Sequence, residues 1–187
     1  YDMGYGRSAA TQTQHNWARQ TVSHNVVVVN EASQLETGET GGSLELFAES
    51  PFVRAAEASS NRCYAGQGVG LYRRLAALVG GEGESAYLLD IFRVRGGRQH
   101  DYVFHALSGE VRVEGLELGA AGPGSLAGPD IDWSAAQIAD GDLAGHPNDW
   151  NWVAPPGNGY GFLSGPRRGL AAGSWRAEWT LDPKSRL

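Results

Sequence analysis

The stretch GLYRRLAALVGGEGESAYLLDIFRV, residues 70–94, decides the fold. Two apolar runs, residues 70–79 and 86–94, flank a linker, residues 80–84, that consists of three glycines and two glutamates. Two β-type runs joined by a short glycine-rich linker are typical of a pair of antiparallel strands. We therefore predict an antiparallel β-structure built outward from this pair.

The same punctuation continues in both directions along the chain. Glycine (27 residues) and proline (8 residues) separate short β-type runs, and helical periodicity is scarce. We predict further strands over residues 26–29, 43–49, 100–107, 110–118, 150–153, 159–164 and 174–181, with the third and fourth paired around Ser108-Gly109. Residues 52–59 suit a strand or a short helix. About ten strands favour an all-β fold, an antiparallel sandwich of two sheets, as one domain over residues 1–187.

Composition excludes several classes of protein. The 187 residues are 41% hydrophobic and 19% charged, which indicates a globular chain. A net charge of −6 argues against a non-specific nucleic-acid binder. The sequence has no run of about 18 apolar residues, so it predicts no membrane span, and no signal peptide is apparent. The single cysteine, Cys63, allows no intrachain disulfide. Both ends of the chain resemble mid-protein sequence, so we expect part of a longer protein.

Two segments carry a resemblance to a known family. The first is WARQTVSHNVVVVN, residues 17–30, and the second is YLLDIFRVRGGRQHDYVFH, residues 87–105. Together with the lead-in at residues 2–6, they resemble the C-terminal β-sandwich of heparinase II/III-like polysaccharide lyases, which include alginate lyases. The family pattern has Thr at Val26 and Asp at Asn30. Both departures are expected at strand positions, with little chemical consequence.

The resemblance implies half of a catalytic cleft. In this family an N-terminal α/α toroid completes the active site, so we expect that domain as a partner and expect this chain alone to be inactive. The implied substrate is an acidic, uronate-containing polysaccharide or oligosaccharide such as alginate or a glycosaminoglycan, in the periplasm or outside a bacterial cell. Nucleic acid and membrane are not expected partners, and a homodimer is left open.

A uronate lyase must stabilise the anion that forms when the C5 proton is removed, and it needs a general base and a general acid. The resemblance implies His24 as a catalytic residue, and Tyr64 and Tyr102 are candidate catalytic phenols for proton transfer. Asn25, whose amide can donate to a carboxylate, is the first substrate-binding candidate. The others are Arg73, Arg74 and His100. Packing explains a strand tyrosine equally well, and a solvated sheet edge explains the arginines.

The family also implies a structural zinc ion held by two histidines and a carboxylate. His100 and His105 are five residues apart on one predicted strand, so they should face opposite sides. The predicted ligands are therefore His24, His105 and Glu49, with Glu45 as the alternative acid. Asp101 could orient a ligand.

Other readings stay open. A non-catalytic carbohydrate-binding or structural sandwich would use the same histidines for a metal or the core. A cupin-like metal enzyme is disfavoured because no His-x-His pair is present. Trp133, Trp150 and Trp152 form a late aromatic cluster that suits sugar stacking or packing. His15 and His146 are expected to be solvated.

Overall fold

The computed structural model describes residues 14–81, 85–106, 110–132 and 158–180 of the chain. Within them lie eight strands: β1 Val27–Val29, β2 Ser43–Glu49, β3 Val53–Ser59, β4 Leu71–Val79, β5 Tyr87–Arg95, β6 His100–Tyr102, β7 Val111–Glu114 and β8 Arg176–Trp179. Short helical turns cover Gln14–Ala18, Thr21–Ser23, Asn61–Tyr64 and Tyr160–Phe162. The predicted all-β, antiparallel class is confirmed, with eight strands in the described residues where about ten were predicted.

Contacts divide the chain into two units. We name Val27–Asp101 the sheet unit, and Tyr1–Val26 with Tyr102–Leu187 the histidine unit, because it contains His24 and His105. The predicted single domain over residues 1–187 stays a prediction. No helix in the described ranges has the length and apolar character needed to cross a membrane.

The sheet unit is built on a four-stranded sheet with the order β2-β3-β4-β5. Strands β4 and β5 pair over their full length, from Leu71 opposite Arg95 to Val79 opposite Tyr87, without a slip in register. The predicted strand pair is therefore confirmed. Residues 52–59, which suited a strand or a helix, form β3 between β2 and β4.

The core of the sheet unit lies between this sheet and β1. Successive residues of a strand face opposite sides, so Tyr72 of β4 and its partner Val94 of β5 share one face. That face packs against Val27 and Val29 of β1. All three residues of β1 are buried, which confirms the predicted buried strand. Burying each such valine contributes roughly 1.5–3 kcal/mol.

One prediction about pairing and one about a strand were wrong. The run after His100 was expected to pair with the run after Glu110, but β6 pairs with β1 and β7 pairs with β8. Alternation identifies a strand but not its partner, because the partner can be distant in sequence. Residues 159–164 were expected to be a strand and instead contain the turn Tyr160–Phe162, which begins after Gly159 at a positive φ of 91°. The predicted strand at residues 150–153 lies outside the described residues.

Candidate functional site

His24 lies directly after the helical turn Thr21–Ser23. Its backbone N–H donates to the carbonyl of Thr21 at 3.1 Å, and Ser23 Oγ donates to the carbonyl of Gln20 at 2.9 Å. Val22 is buried within the turn. The backbone of His24 is extended, so the chain leaves this anchored turn directly toward β1. His24 is half-buried, a position that fixes the residue without removing it from solvent.

Residues 17–26 of the first motif and residues 102–105 of the second belong to the histidine unit, where a backbone hydrogen bond joins them. The N–H of Val103 donates to the carbonyl of Val26 at 2.9 Å. The N–H of His105 donates to Oδ1 of Asn25 at 2.6 Å. Because Oδ1 is engaged as an acceptor, the NH₂ group is the part of the Asn25 amide that can donate elsewhere. A positioned donor next in sequence to His24 suits a substrate carboxylate.

The ring of His105 is held by a hydrogen bond and by packing. Its Nε2 lies 2.7 Å from the carbonyl oxygen of Val22. A carbonyl oxygen only accepts, so Nε2 is assigned the hydrogen, and Nδ1 is the ring atom that can accept a proton or bind a metal. Trp17 packs edge-on against this ring at 5.6 Å between centroids, and Phe162 lies 5.6 Å from Trp17.

Tyr64 and Tyr72 serve the backbone of β1. The N–H of Val29 donates to the Tyr64 hydroxyl at 3.3 Å, and the Tyr72 hydroxyl donates to the carbonyl of Val27 at 2.6 Å. The tyrosines thus bond backbone groups of β1 that would otherwise be buried without a partner. Burial, reinforced by the neighbouring Tyr64, raises the pKa of Tyr72 far above its ordinary value.

This position of Tyr64 bears on its predicted catalytic role. Tyr64 is 1% exposed, and its ring lies 5.2 Å from that of Tyr72. A proton-transfer group must reach the substrate directly or through one water. The geometry therefore favours packing for Tyr64, and its catalytic role stays a prediction.

Arg73 and Arg74 lie on opposite faces of the sheet. Arg74 binds Asp90 with two hydrogen bonds, Nε to Oδ1 at 2.9 Å and a terminal nitrogen to Oδ2 at 3.0 Å. Its guanidinium carbon also lies 4.9 Å above the ring of Phe92. The fork that would hold a uronate carboxylate is therefore occupied by a carboxylate of the protein.

Arg73 belongs to a different group of charges. Its guanidinium contacts the carboxylate of Glu57, which also contacts Arg93. Glu57 is 5% exposed, and Glu45 lies 3.9 Å from Arg73. Arg73 Nε is buried and has no hydrogen-bond partner in the described residues. The carboxylate at position 57 thus fixes two guanidinium groups from adjacent strands.

His100 and Tyr102 are the remaining predicted site residues, at the two ends of β6. His100 Nε2 lies 2.7 Å from the carbonyl oxygen of Gly96, inside the Gly-Gly turn. Tyr102 ends β6 and is 53% exposed. Strand β6 ends at Tyr102, so His105 is not on the same strand as His100. The prediction that the two histidines face opposite sides of one strand was therefore wrong.

The described residues contain no group of three or more His, Cys, Asp or Glu side chains arranged to hold a metal ion. Glu49, the predicted acidic ligand, is exposed and pairs with Arg54 at 3.1 Å. His105 uses Nε2 for the carbonyl of Val22. The zinc ion stays a prediction. Trp133, Trp150, Trp152, His146, the side chain of His15 and the lead-in at residues 2–6 lie outside the described part.

Two residues with clear structural roles were missed. Glu57 was hidden in a run that did not distinguish strand from helix. Asn30 was placed on a strand, which was wrong, as was the placement of Val26. Oδ1 of Asn30 accepts hydrogen bonds from the N–H groups of Arg98 at 2.7 Å and Gln99 at 3.2 Å. The signal was an Asn directly after a β-branched run, which is typical of a tight turn.

Comparison with known proteins gives one match. A family model described as "Heparinase II/III-like, C-terminal" matches residues 1–158. No curated protein and no solved structure matches the chain. The matched range contains both motifs, residues 17–30 and 87–105.

Proposed function

Because this chain belongs to the heparinase II/III-like family, we propose that it forms part of a polysaccharide lyase that cleaves an acidic polysaccharide by β-elimination. The observation that carries the proposal is the hydrogen bond from His105 N–H to Asn25 Oδ1. It orients the Asn25 amide next in sequence to His24. A donor and a base are the two groups that abstraction of a proton beside a carboxylate requires.

In the proposed reaction, His24 removes the C5 proton of a uronate. The electron pair of that C–H bond forms the C4–C5 double bond, and the bond from C4 to the glycosidic oxygen breaks. The departing oxygen takes a proton from an acid, for which Tyr102 is the candidate. The NH₂ group of Asn25 donates to the substrate carboxylate, where negative charge builds up during proton removal.

The chain is proposed to act with further parts of its protein. The sandwich would form one wall of the cleft, and an N-terminal helical domain would form the other. The substrate would be an alginate-type or glycosaminoglycan-type polymer, met in the periplasm or outside the cell. A zinc ion would have a structural role.

A non-catalytic glycan-binding module is the second candidate. This candidate is favoured because one predicted substrate-binding residue and one predicted catalytic residue are engaged within the protein. Arg74 is held by Asp90, and Tyr64 is buried against β1. Such a module would bind acidic glycans without producing an unsaturated sugar.

The decisive experiment follows the ultraviolet absorbance of unsaturated uronate. The full-length protein that contains this chain would be incubated with alginate and with heparan-type glycans. We expect product from at least one polymer and a decrease in kcat of at least about 100-fold for His24→Ala, the usual contribution of a general base. His146→Ala is the matched control, since the sequence predicts a solvated residue there. Absence of unsaturated product from every polymer would refute β-elimination, and an unchanged kcat for His24→Ala would remove its catalytic role.

A further inference from the structure

Three arginines lie on the face of the β2–β5 sheet that is turned away from β1. Tyr72 and Val94 face β1, so their sequence neighbours Arg73, Arg93 and Arg95 face the other way. Arg73 and Arg93 are direct cross-strand partners. We name this surface the arginine face.

Glu57 fixes two of these arginines from beneath. Its carboxylate contacts a terminal nitrogen of Arg73 and one of Arg93. The side chains of the two arginines are 31% and 52% exposed, whereas that of Glu57 is 6% exposed. Positive charge therefore reaches the surface while the compensating negative charge stays below it.

The arrangement leaves capacity for a further anion. Like charges directly opposite each other on a sheet repel, and the carboxylates of Glu57 and Glu45 offset the charges of Arg73 and Arg93. Arg95 adds a third positive charge, and in the described part of the chain its side chain forms no ion pair. Glu45, 3.9 Å from Arg73, lies at the opposite side of the group from Arg95. A carboxylate or sulfate bound above the arginines would complete the charge balance, and guanidinium forks suit both.

Arg93 and Arg95 lie on an edge strand. Among the described residues, β5 ends the strand order of its sheet, so a polymer passing Arg93 and Arg95 would cross no other described strand of that sheet. Residues two apart on a strand are about 6.6 Å apart, a spacing that lets both arginines contact one extended glycan. The net charge of the whole chain, −6, would repel a polyanion, so attraction must come from such a local group.

We propose that the arginine face is a binding site for the carboxylate or sulfate groups of an acidic glycan, built from residues other than the elimination residues His24 and Asn25. The class of ligand rests on the proposed function. The site itself rests on the buried Glu57 and the cross-strand arginine pair. Its central residue is Arg93, which belongs with Arg73, Arg74, Arg95 and Arg98 to a local excess of arginines in the sequence.

The test is isothermal titration calorimetry of the protein with three oligosaccharides. The probes are a sulfated heparin-derived oligosaccharide, an alginate-derived oligouronate and a neutral dextran oligosaccharide. We expect binding of one or both anionic probes, none of the neutral probe, and about 10-fold weaker binding for Arg93→Ala, the loss expected for one charge-assisted contact. The matched control is Arg54→Ala, which removes an equally charged and exposed residue from the opposite face and should change Kd less than twofold.

A second variant distinguishes loss of binding from loss of folding. Arg95→Ala removes a positive charge without breaking an ion pair, and we expect about threefold weaker binding from the lost screened charge. Equal Kd values for the wild type and both arginine-face variants would overturn the proposal, as would equal weakening by Arg54→Ala or equal binding of dextran. Binding that depends on Arg93 in a protein that yields no unsaturated product would refute the lyase function and leave this site intact.

Discussion

The sheet unit and the histidine unit position their side chains in different ways. In the sheet unit, Arg73 and Arg74 reach opposite faces because successive residues of a regular strand alternate. In the histidine unit, Asn25 is oriented by one hydrogen bond from His105, and His105 by one to Val22. A regular register thus fixes many side chains at once, whereas the candidate site depends on a few individual contacts.

The largest expected effect comes from breaking the core of the sheet unit at Tyr64. We expect Tyr64→Ala to lower the free energy of unfolding by about 3–5 kcal/mol, because it leaves a cavity beside Tyr72 and removes the partner of the Val29 N–H. Urea unfolding followed by fluorescence would measure it.

Tyr64→Phe separates the packing role from the predicted catalytic role. It keeps the ring and removes the hydroxyl, so we expect a loss of about 1 kcal/mol in stability. If Tyr64 has only a packing role, we expect near-normal kcat for this variant in the full-length protein. A decrease of about 100-fold or more with the fold intact would instead establish proton transfer by Tyr64.

The same core should make the sheet unit sensitive to alkali. Burial raises the pKa of both Cys63 and Tyr72. The unfolded chain therefore loses these protons at lower pH than the folded chain does, and stability is complete below the unfolded pKa values and declines above them. For Tyr72 the decline is about 1.4 kcal/mol per pH unit once the pH exceeds about 10.

Urea unfolding at pH 8, 10 and 11 would check this sign. The Tyr72→Phe variant is the control, because it keeps the ring and removes the titrating hydroxyl. Its stability should fall less steeply above pH 10 than that of the wild type. An equal slope in both proteins would show that Tyr72 is not the group responsible.

The sequence predicted the regular strands of the sheet unit better than the individual contacts of the histidine unit. The sequence of residues 70–94 predicted β4 and β5, because alternation and a glycine-rich linker are local signals. The pairing of β6 with β1 was missed, since it joins residues about 70 positions apart and no local pattern encodes it. His24, Asn25 and His105 were named from motif resemblance. The bond that orients Asn25 could not be named, because it depends on a non-local backbone N–H.

Asn25 offers the sharpest test within the histidine unit. Asn25→Ala removes the acceptor of the His105 N–H, and we expect a loss of about 1 kcal/mol in the free energy of unfolding. Asn25→Asp keeps an acceptor oxygen, so stability should recover. In the full-length protein the same aspartate would repel a substrate carboxylate, and we expect KM to rise and kcat to fall despite the recovered stability. Normal kinetics for Asn25→Asp would exclude a role of the Asn25 amide in carboxylate binding.

The smallest effect, and the one of opposite sign, is expected at the turn after β1. Asn30 and Glu31 have positive φ values of 56° and 54°, and the N–H of Ala32 donates to the carbonyl of Val29 at 3.0 Å. Consecutive positive φ values are those of a type I′ turn, which favours Asn followed by Gly. Asn30 suits its position. The side chain of Glu31 is sterically unfavourable in the left-handed region and lowers the stability of the folded chain.

We therefore expect Glu31→Gly to raise the free energy of unfolding by about 0.5–1 kcal/mol. It also removes the exposed contact of Glu31 with Gln99 at 3.1 Å, which contributes little. Glu31→Ala is the matched control, because it loses the same contact and keeps the Cβ atom, so it should not stabilise. Because Asn30 Oδ1 binds the backbone of Arg98 and Gln99, a firmer turn here would tighten the connection between β5 and β6. If both variants changed stability equally, the cost would lie in the carboxylate and not in the backbone of the turn.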